Sequence, residues 1–208
     1  MSRRPRPPAG YDVAYRVDAG RPDCHITVGF DQQQTHIPRF LVQLHYQADS
    51  NPVNWVELAR MDHNETSARG HDVYYEGLHV DVARRADPTV HLKLRHAPLP
   101  ANRGIVVRGC VRYFTAEIAY LIDVYEGNIS PGSPPRWTPD GGESTRILIR
   151  ENLIEEDMSR ESSTEDVLSP EELSEVLAEA TGTTAEEIER GAEEMEIAPP
   201  SEATVVDE

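Results

Sequence analysis

Histidines and carboxylates are concentrated in one stretch of the chain, between residues 61 and 96. Imidazole and carboxylate groups bind transition metals and exchange protons near neutral pH. Because the spacing matches no standard metal motif, three interpretations stay open: structural hydrogen bonding, which is the commonest, acid–base catalysis and metal ligation. The stretch contains His63, His71, His79, His91 and His96, with Asp62, Asp72, Glu76 and Asp81.

Three of these residues are the candidate catalytic groups. His79 and Asp81 lie two positions apart, so a strand would place both side chains on one face, where the carboxylate would favour a protonated His79. His91 falls in the next strand-like run. We assign no metal ion and no cofactor.

Basic side chains follow the same predicted sheet face. Arg60, Lys93 and Arg95 are the candidate contacts to nucleic acid, because a row of cations on an open sheet can hold a phosphate backbone. A neighbouring histidine could then move a proton next to a ribose 2′-hydroxyl. The alternative is that these residues form the solvated side of an antiparallel sheet.

Hydrophobic patterning predicts the elements that position these groups. Residues 39–47 alternate between apolar and polar, which is the period of a half-buried strand. An apolar stripe at helical spacing follows from Val111 to Tyr125, and Gly127 is a stop signal. The fold class is therefore α+β: an antiparallel sheet of four or five strands with one main helix packed on it. The predicted strands are 26–30, 39–47, 55–61, 74–82 and 90–96.

Charge divides the chain into three predicted parts. Residues 1–10 are a Pro- and Arg-rich lead-in predicted to be disordered, and residues 11–150 form the α+β domain. Residues 151–208 form a mostly disordered tail with 20 acidic and two basic residues. A capping box at Ser169 predicts a short helical hairpin at about 169–195. Such short helices need a surface, either on this chain or on a partner.

Composition also predicts the compartment. The net charge is −17, no apolar run approaches the roughly 18–20 residues of a membrane span, and the basic N-terminus has no apolar signal core. We therefore expect a cytoplasmic protein without membrane contact, with reduced Cys24 and Cys110. Arginine supplies 19 of the 20 basic residues, which with the acidic total favours a salt-adapted microbe such as a haloarchaeon.

Short motifs along residues 40–130 resemble a family of uncharacterised haloarchaeal domains. The motifs are Asp62-His-Asn64, His71-Asp72, Glu76-Gly-Leu-His79-x-Asp81, Tyr113-Phe114 and Gly127-Asn128-Ile129. That family is similar, more remotely, to small sheet-plus-helix toxins of the TumE type, which work in toxin–antitoxin pairs. The histidine-rich segment 70–81 partly matches the compact one that is typical of those toxins.

Two functions follow as hypotheses. The favoured one is a binding or interaction module with a protein partner of unknown identity and a regulatory acidic tail, because no catalytic motif is complete. The alternative is a toxin-like ribonuclease that uses His79 or His91 as acid or base, and Lys93 and Arg95 on phosphate. RNA would then be the partner, and the tail would shield the sheet. The pattern predicts no oligomeric state.

Overall fold

The computed structural model describes residues 4–67, 70–132, 134–137 and 167–193. Within these ranges seven strands form one sheet, and four helices accompany it. The strands are β1 (Val13–Val17), β2 (Cys24–Gln33), β3 (His36–Ser50), β4 (Val53–Asn64), β5 (His79–Val82), β6 (Val90–Lys93) and β7 (Val167–Leu168). The helices are α1 (Val73–Glu76), α2 (Arg103–Glu126), α3 (Pro170–Thr181) and α4 (Ala185–Glu193).

The α+β class is confirmed, with a larger sheet than predicted. The strand order is β6-β5-β4-β3-β2-β1-β7, and all neighbours are antiparallel except β1 and β7. The strands missing from the prediction are β1 and β7 at one edge. The two-residue β7 is too short to have a hydrophobic period, and it forms because the chain returns beside β1.

The predicted strand 74–82 is wrong in its first half, which folds as α1. The Asp72 side chain accepts a hydrogen bond from the Tyr74 N–H at 2.9 Å and so caps this helix. Gly77 ends it with a φ of +85°, a conformation that glycine adopts without a Cβ clash. The strand begins only at His79.

One face of the sheet forms the core with α2. Alternate residues on adjacent strands are fully buried there, such as Val28, Val42 and Met61 in one cross-strand row. Helix α2 adds the predicted stripe, in which Phe114 and Leu121 are fully buried. Each large apolar side chain buried in this way contributes about 1.5–3 kcal/mol.

The predicted helical hairpin is confirmed, and it docks on the chain's own α2. The Ser169 capping box is formed, and Leu173, Leu177 and Ile188 are fully buried. The Arg108 Nε on α2 donates to Glu189 of α4 at 3.0 Å. The predicted domain boundary at residue 150 and the predicted disorder over 151–166 and 194–208 lie outside the described residues.

The other face of the sheet is polar and is partly covered by residues 4–12. The Arg16 Nε donates to the Pro5 carbonyl at 3.2 Å, and the Arg39 guanidinium lies 4.2 Å from the ring centre of Tyr11. These contacts pack the described part of the N-terminal segment on the sheet. No helix in the described ranges is long and apolar enough to cross a membrane.

Candidate functional site

The predicted catalytic residues meet on the polar face, at the end of the sheet formed by β4, β5 and β6. Asp81 of β5 lies opposite His91 of β6 and opposite Arg60 of β4, and His79 lies opposite Lys93. These positions alternate with core residues of the same strands, which turns the polar side chains away from α2. The structure thus brings together five of the six predicted site residues, and the sixth, Arg95, lies beyond the end of β6.

Asp81 is the centre of a hydrogen-bonded group. Its Oδ1 lies 2.7 Å from His91 Nδ1, and its Oδ2 accepts from Arg60 Nε at 3.2 Å. Burial opposes ionisation of Asp81, but the hydrogen bonds from His91 and Arg60 outweigh it, so its pKa lies below the ordinary value. Asp81 is therefore a carboxylate at neutral pH, with Arg60 as its fixed counter-ion.

His71 joins this group and was not among the predicted catalytic residues. Its ring centre lies 3.8 Å from that of His79, and His79 lies 3.9 Å from His91, so three imidazoles form one column. The segment before α1 delivers His71, because the Asn64 N–H donates to the His71 carbonyl at 2.7 Å. Sequence spacing does not show this fold-back of the chain.

The two nitrogens of His71 have different surroundings. Nδ1 lies 2.6 Å from a carboxylate oxygen of Glu76, whereas Nε2 is buried without a hydrogen-bond partner among the described residues. Since an ionised carboxylate only accepts, the Glu76 contact places the ring proton on Nδ1. The Nε2 lone pair is then left free inside the site.

His79 lies in the middle of the column and is only 8% exposed. Burial lowers its pKa, and the neighbouring His71 and His91 lower it further. Asp81 acts in the opposite direction and raises the pKa of His79, as the shared face predicts, but burial and the two imidazoles outweigh it, and Asp81 bonds His91 instead. A neutral His79 keeps a nitrogen lone pair at physiological pH.

Ligand atoms of His79, Asp81 and His91 all lie within 4.8 Å of one another. A set of imidazole nitrogens and one carboxylate oxygen suits zinc and neighbouring transition metals. These three residues could hold one such ion; His71, whose ring contacts His79, lies outside this set of converging atoms. The same groups could instead transfer protons, because His91 is oriented by Asp81 in the way that a catalytic base is oriented.

The three predicted nucleic-acid contacts have different surroundings. Arg60 is paired with Asp81, with Nη2 at 3.2 Å from Oδ2. Lys93 and Arg95 are exposed, and the Lys93 stem passes close to Gly77. Their role in binding phosphate stays a prediction, since the geometry shows only where these cations lie.

The fold and site define a class of protein: an α+β domain with an open, mostly antiparallel sheet and a histidine-lined polar face. The chain belongs to the family of the domain of unknown function DUF7718, which matches residues 11–128. The match includes β1 to β6, α2 and the whole histidine cluster, and α3 and α4 lie outside it. No curated protein and no solved structure matches the chain. A haloarchaeal origin and a link to TumE-type toxins are not shown by this match and stay predictions.

Proposed function

We propose that the protein is a binding module whose ligand is a divalent transition-metal ion. His79, Asp81 and His91 would supply three ligands, and His71, whose ring contacts His79 but whose nitrogens lie outside the 4.8 Å set, is a further candidate through Nε2. The observation that carries this proposal is the convergence of imidazole and carboxylate atoms within 4.8 Å of one another around a buried, neutral His79.

Glu76 adds an independent argument. A metal-bound histidine commonly donates its other ring N–H to a carboxylate, which fixes the tautomer and strengthens the ligand. His71 has this arrangement, with Glu76 at 2.6 Å from Nδ1 and with Nε2 buried and unpartnered. A buried nitrogen without a hydrogen bond is unfavourable, and a metal ion would remove that penalty.

Arg60 is compatible with a metal at Asp81 because it uses the other oxygen. Arg60 contacts Oδ2, whereas Oδ1 contacts His91 Nδ1. A metal bound at Oδ1 would displace the proton that His91 and Asp81 share. Metal binding is therefore expected to release a proton and to weaken below the pKa values of the histidines.

The test is calorimetric titration of the full chain with Zn²⁺ after treatment with a chelator. Wild-type protein is expected to bind one ion, and His79→Ala and Asp81→Asn each to weaken binding at least tenfold. His36→Gln, at an exposed histidine of β3, is the matched control and should bind as the wild type does. Equal affinity of wild type and His79→Ala, or no saturable binding by the wild type, would reject the metal site.

A ribonuclease is the second candidate, supported by the 2.7 Å contact between His91 and Asp81 beside the exposed cation Lys93. In this reaction His91 would take the proton of a ribose 2′-hydroxyl, and the 2′-oxygen would attack phosphorus. The bond to the 5′-oxygen would break, and that oxygen would receive a proton from a second histidine. Lys93 and Arg95 would hold the phosphate.

RNA cleavage distinguishes the two candidates. Chelator-resistant cleavage by the full chain that His91→Asn abolishes would favour the ribonuclease, whereas a folded protein that binds Zn²⁺ without cleaving RNA favours the metal module. The acidic tail was predicted to shield the polar face. The described part of the tail docks on α2 instead, and the rest of it lies outside the described residues. A protein partner, a regulatory tail and a cytoplasmic location stay predictions.

A further inference from the structure

The three converging ligand atoms leave part of the coordination sphere of a metal ion to other groups. His79, Asp81 and His91 supply one atom each, whereas zinc in proteins is usually four-coordinate. Structural zinc sites fill every position with protein atoms, and catalytic sites keep one position for water or substrate. The His91 side chain is 61% exposed, so water can reach the ion from the side of β6.

His71 stands beside this set and is held in one tautomer. Its ring centre lies 3.8 Å from that of His79, but its nitrogens lie outside the converging atoms. The contact of 2.6 Å with Glu76 places the ring proton on Nδ1, and the buried Nε2 has no hydrogen-bond partner among the described residues. A histidine oriented by a carboxylate, with its other nitrogen unprotonated, has the arrangement of a general base.

Lys93 brings a cation to the same end of the sheet. It lies opposite His79 in the β5–β6 pair and two positions after His91, so it shares the polar face. Its stem packs over Gly77, where a Cβ would lie 2.9 Å from Lys93 Cε and 3.4 Å from Nζ. The missing side chain therefore lets the ammonium approach the residue that follows Glu76 in the chain.

We propose that the metal-loaded site hydrolyses phosphate esters, an inference that rests on the metal site proposed above. The ion binds a water molecule and makes it acidic. His71 Nε2 takes a proton from this water, and the resulting hydroxide attacks phosphorus. The bond between phosphorus and the ester oxygen breaks, and the alcohol leaves with the proton that His71 returns. Lys93 and the ion hold the phosphate oxygens and offset their charge.

The experiment follows release of nitrophenolate from bis(para-nitrophenyl) phosphate and from para-nitrophenyl phosphate by the full chain. The protein is treated with a chelator and then given one equivalent of Zn²⁺. We expect faster release by the loaded protein than by the same concentration of free Zn²⁺, and no release by the chelated protein. The two substrates distinguish a diester from a monoester. Neither has a 2′-hydroxyl, so the ribonuclease mechanism predicts no release from either.

Single substitutions test the role of each group. His71→Gln should lower kcat about 100-fold, as loss of a general base does, and should bind Zn²⁺ as the wild type does. Glu76→Gln, at a side chain that is 60% exposed, should lower kcat about tenfold by releasing the orientation of His71. Lys93→Gln should raise KM for both esters. His36→Gln is the matched control, because His36 also contacts a carboxylate, that of Glu65, outside the column.

The inference is overturned if the loaded wild type hydrolyses neither ester faster than free Zn²⁺, or if His71→Gln has the kcat of the wild type. Weaker Zn²⁺ binding by His71→Gln would also overturn it, because His71 would then be a ligand. Each of these outcomes leaves Zn²⁺ binding by the wild type intact, so the metal site survives. A wild type that binds no Zn²⁺ rejects the metal site and the hydrolysis together.

Discussion

Two groups of imidazoles lie on the same face of the sheet, and their surroundings give them different chemistry. His25 and His45 stack at 4.9 Å between ring centres, and no carboxylate is bonded to either among the described residues. His71 and His91 each contact a carboxylate, Glu76 and Asp81 respectively. Carboxylate contact orients an imidazole for ligation or catalysis, whereas burial without a carboxylate keeps it neutral.

Burial of His25 and His45 makes stability depend on pH. Burial lowers the pKa values of His25 and His45 to about 4 from 6.5, and the unfolded chain therefore binds more protons between these values. The contribution of each neutral histidine to the free energy of unfolding should be fully present above pH 6.5. It should be lost as the pH drops toward 4, by about 3 kcal/mol for either histidine. Urea unfolding at pH 7.5 and pH 4.5 measures this difference.

The control for this pH dependence is His25→Phe, which removes one of the two titrating groups and keeps an aromatic ring beside His45. Its free energy of unfolding should change less between the two pH values than that of the wild type. Equal wild-type stability at pH 7.5 and pH 4.5 would contradict the burial argument.

Glu76 permits a second test at the scale of one residue. Its side chain is 60% exposed and contacts His71 Nδ1, so Glu76→Gln should leave folding unchanged. If His71 is a ligand, loss of the carboxylate should weaken Zn²⁺ binding about 10- to 100-fold. Glu57→Gln, at an exposed carboxylate of β4, serves as the control. Unchanged affinity in Glu76→Gln would remove His71 from the ligand set.

At the scale of elements, the interface between α2 and the C-terminal hairpin combines apolar contacts with a buried ion pair. Ile188 is fully buried, and Arg108 is 5% exposed. The Arg108 Nε donates both to Ser174 Oγ and to Glu189 Oε1 at 3.0 Å. Glu189 also contacts Arg112, so one carboxylate of the acidic tail neutralises two arginines of the domain.

Glu189→Gln is expected to destabilise the protein by about 3 kcal/mol, the lower end of the range for breaking a buried pair, because the Glu189 side chain is itself partly exposed. The substitution leaves Arg108 buried without a counter-ion, and breaking one side of a buried pair is unfavourable because the other charge stays desolvated. Urea unfolding measures the effect, with Glu186→Gln as the exposed control on the same helix. A Glu189→Gln midpoint equal to that of Glu186→Gln would show that the pair does not hold the hairpin.

At the scale of the whole molecule, the sheet separates two surfaces with different composition. Helices α2, α3 and α4 form a layer on the apolar face, and the N-terminal segment and both imidazole groups occupy the polar face. The acidic hairpin therefore lies across the sheet from the candidate metal site. The segment 4–12 stays on the polar face partly because Gly29 leaves room for Pro8 and Tyr11.

Gly29→Val should displace the N-terminal segment. A Cβ at this position would lie 2.7 Å from Pro8 Cγ and 2.8 Å from Tyr11 Cδ2, which is closer than real contacts allow. Because Arg4 lies over Trp55, we expect greater acrylamide quenching of Trp55 fluorescence in the variant. Gly132→Ala, where a Cβ would meet only Ser130 Oγ at an ordinary contact distance of 4.0 Å, is the control. Unchanged quenching in Gly29→Val would show that this packing does not hold the segment.

The sequence by itself determined the local features of the protein. Each of these features depends on residues within a few positions of one another. They are the alternation over residues 39–47, the apolar helical stripe ending at Tyr125 and the capping box at Ser169. They predicted the core strands, the main helix and the hairpin. The shared face of His79 and Asp81 followed from the same two-residue period.

Only the tertiary structure decided which distant groups meet. His71 reaches His79 because the chain folds back before α1, and Asp81 bonds His91 because β6 pairs beside β5 in that register. The docking of residues 4–10 and the partner of Arg108 also depend on contacts between distant parts of the chain. Such contacts are set by packing of whole elements, and the periodicity of a single segment does not contain that information.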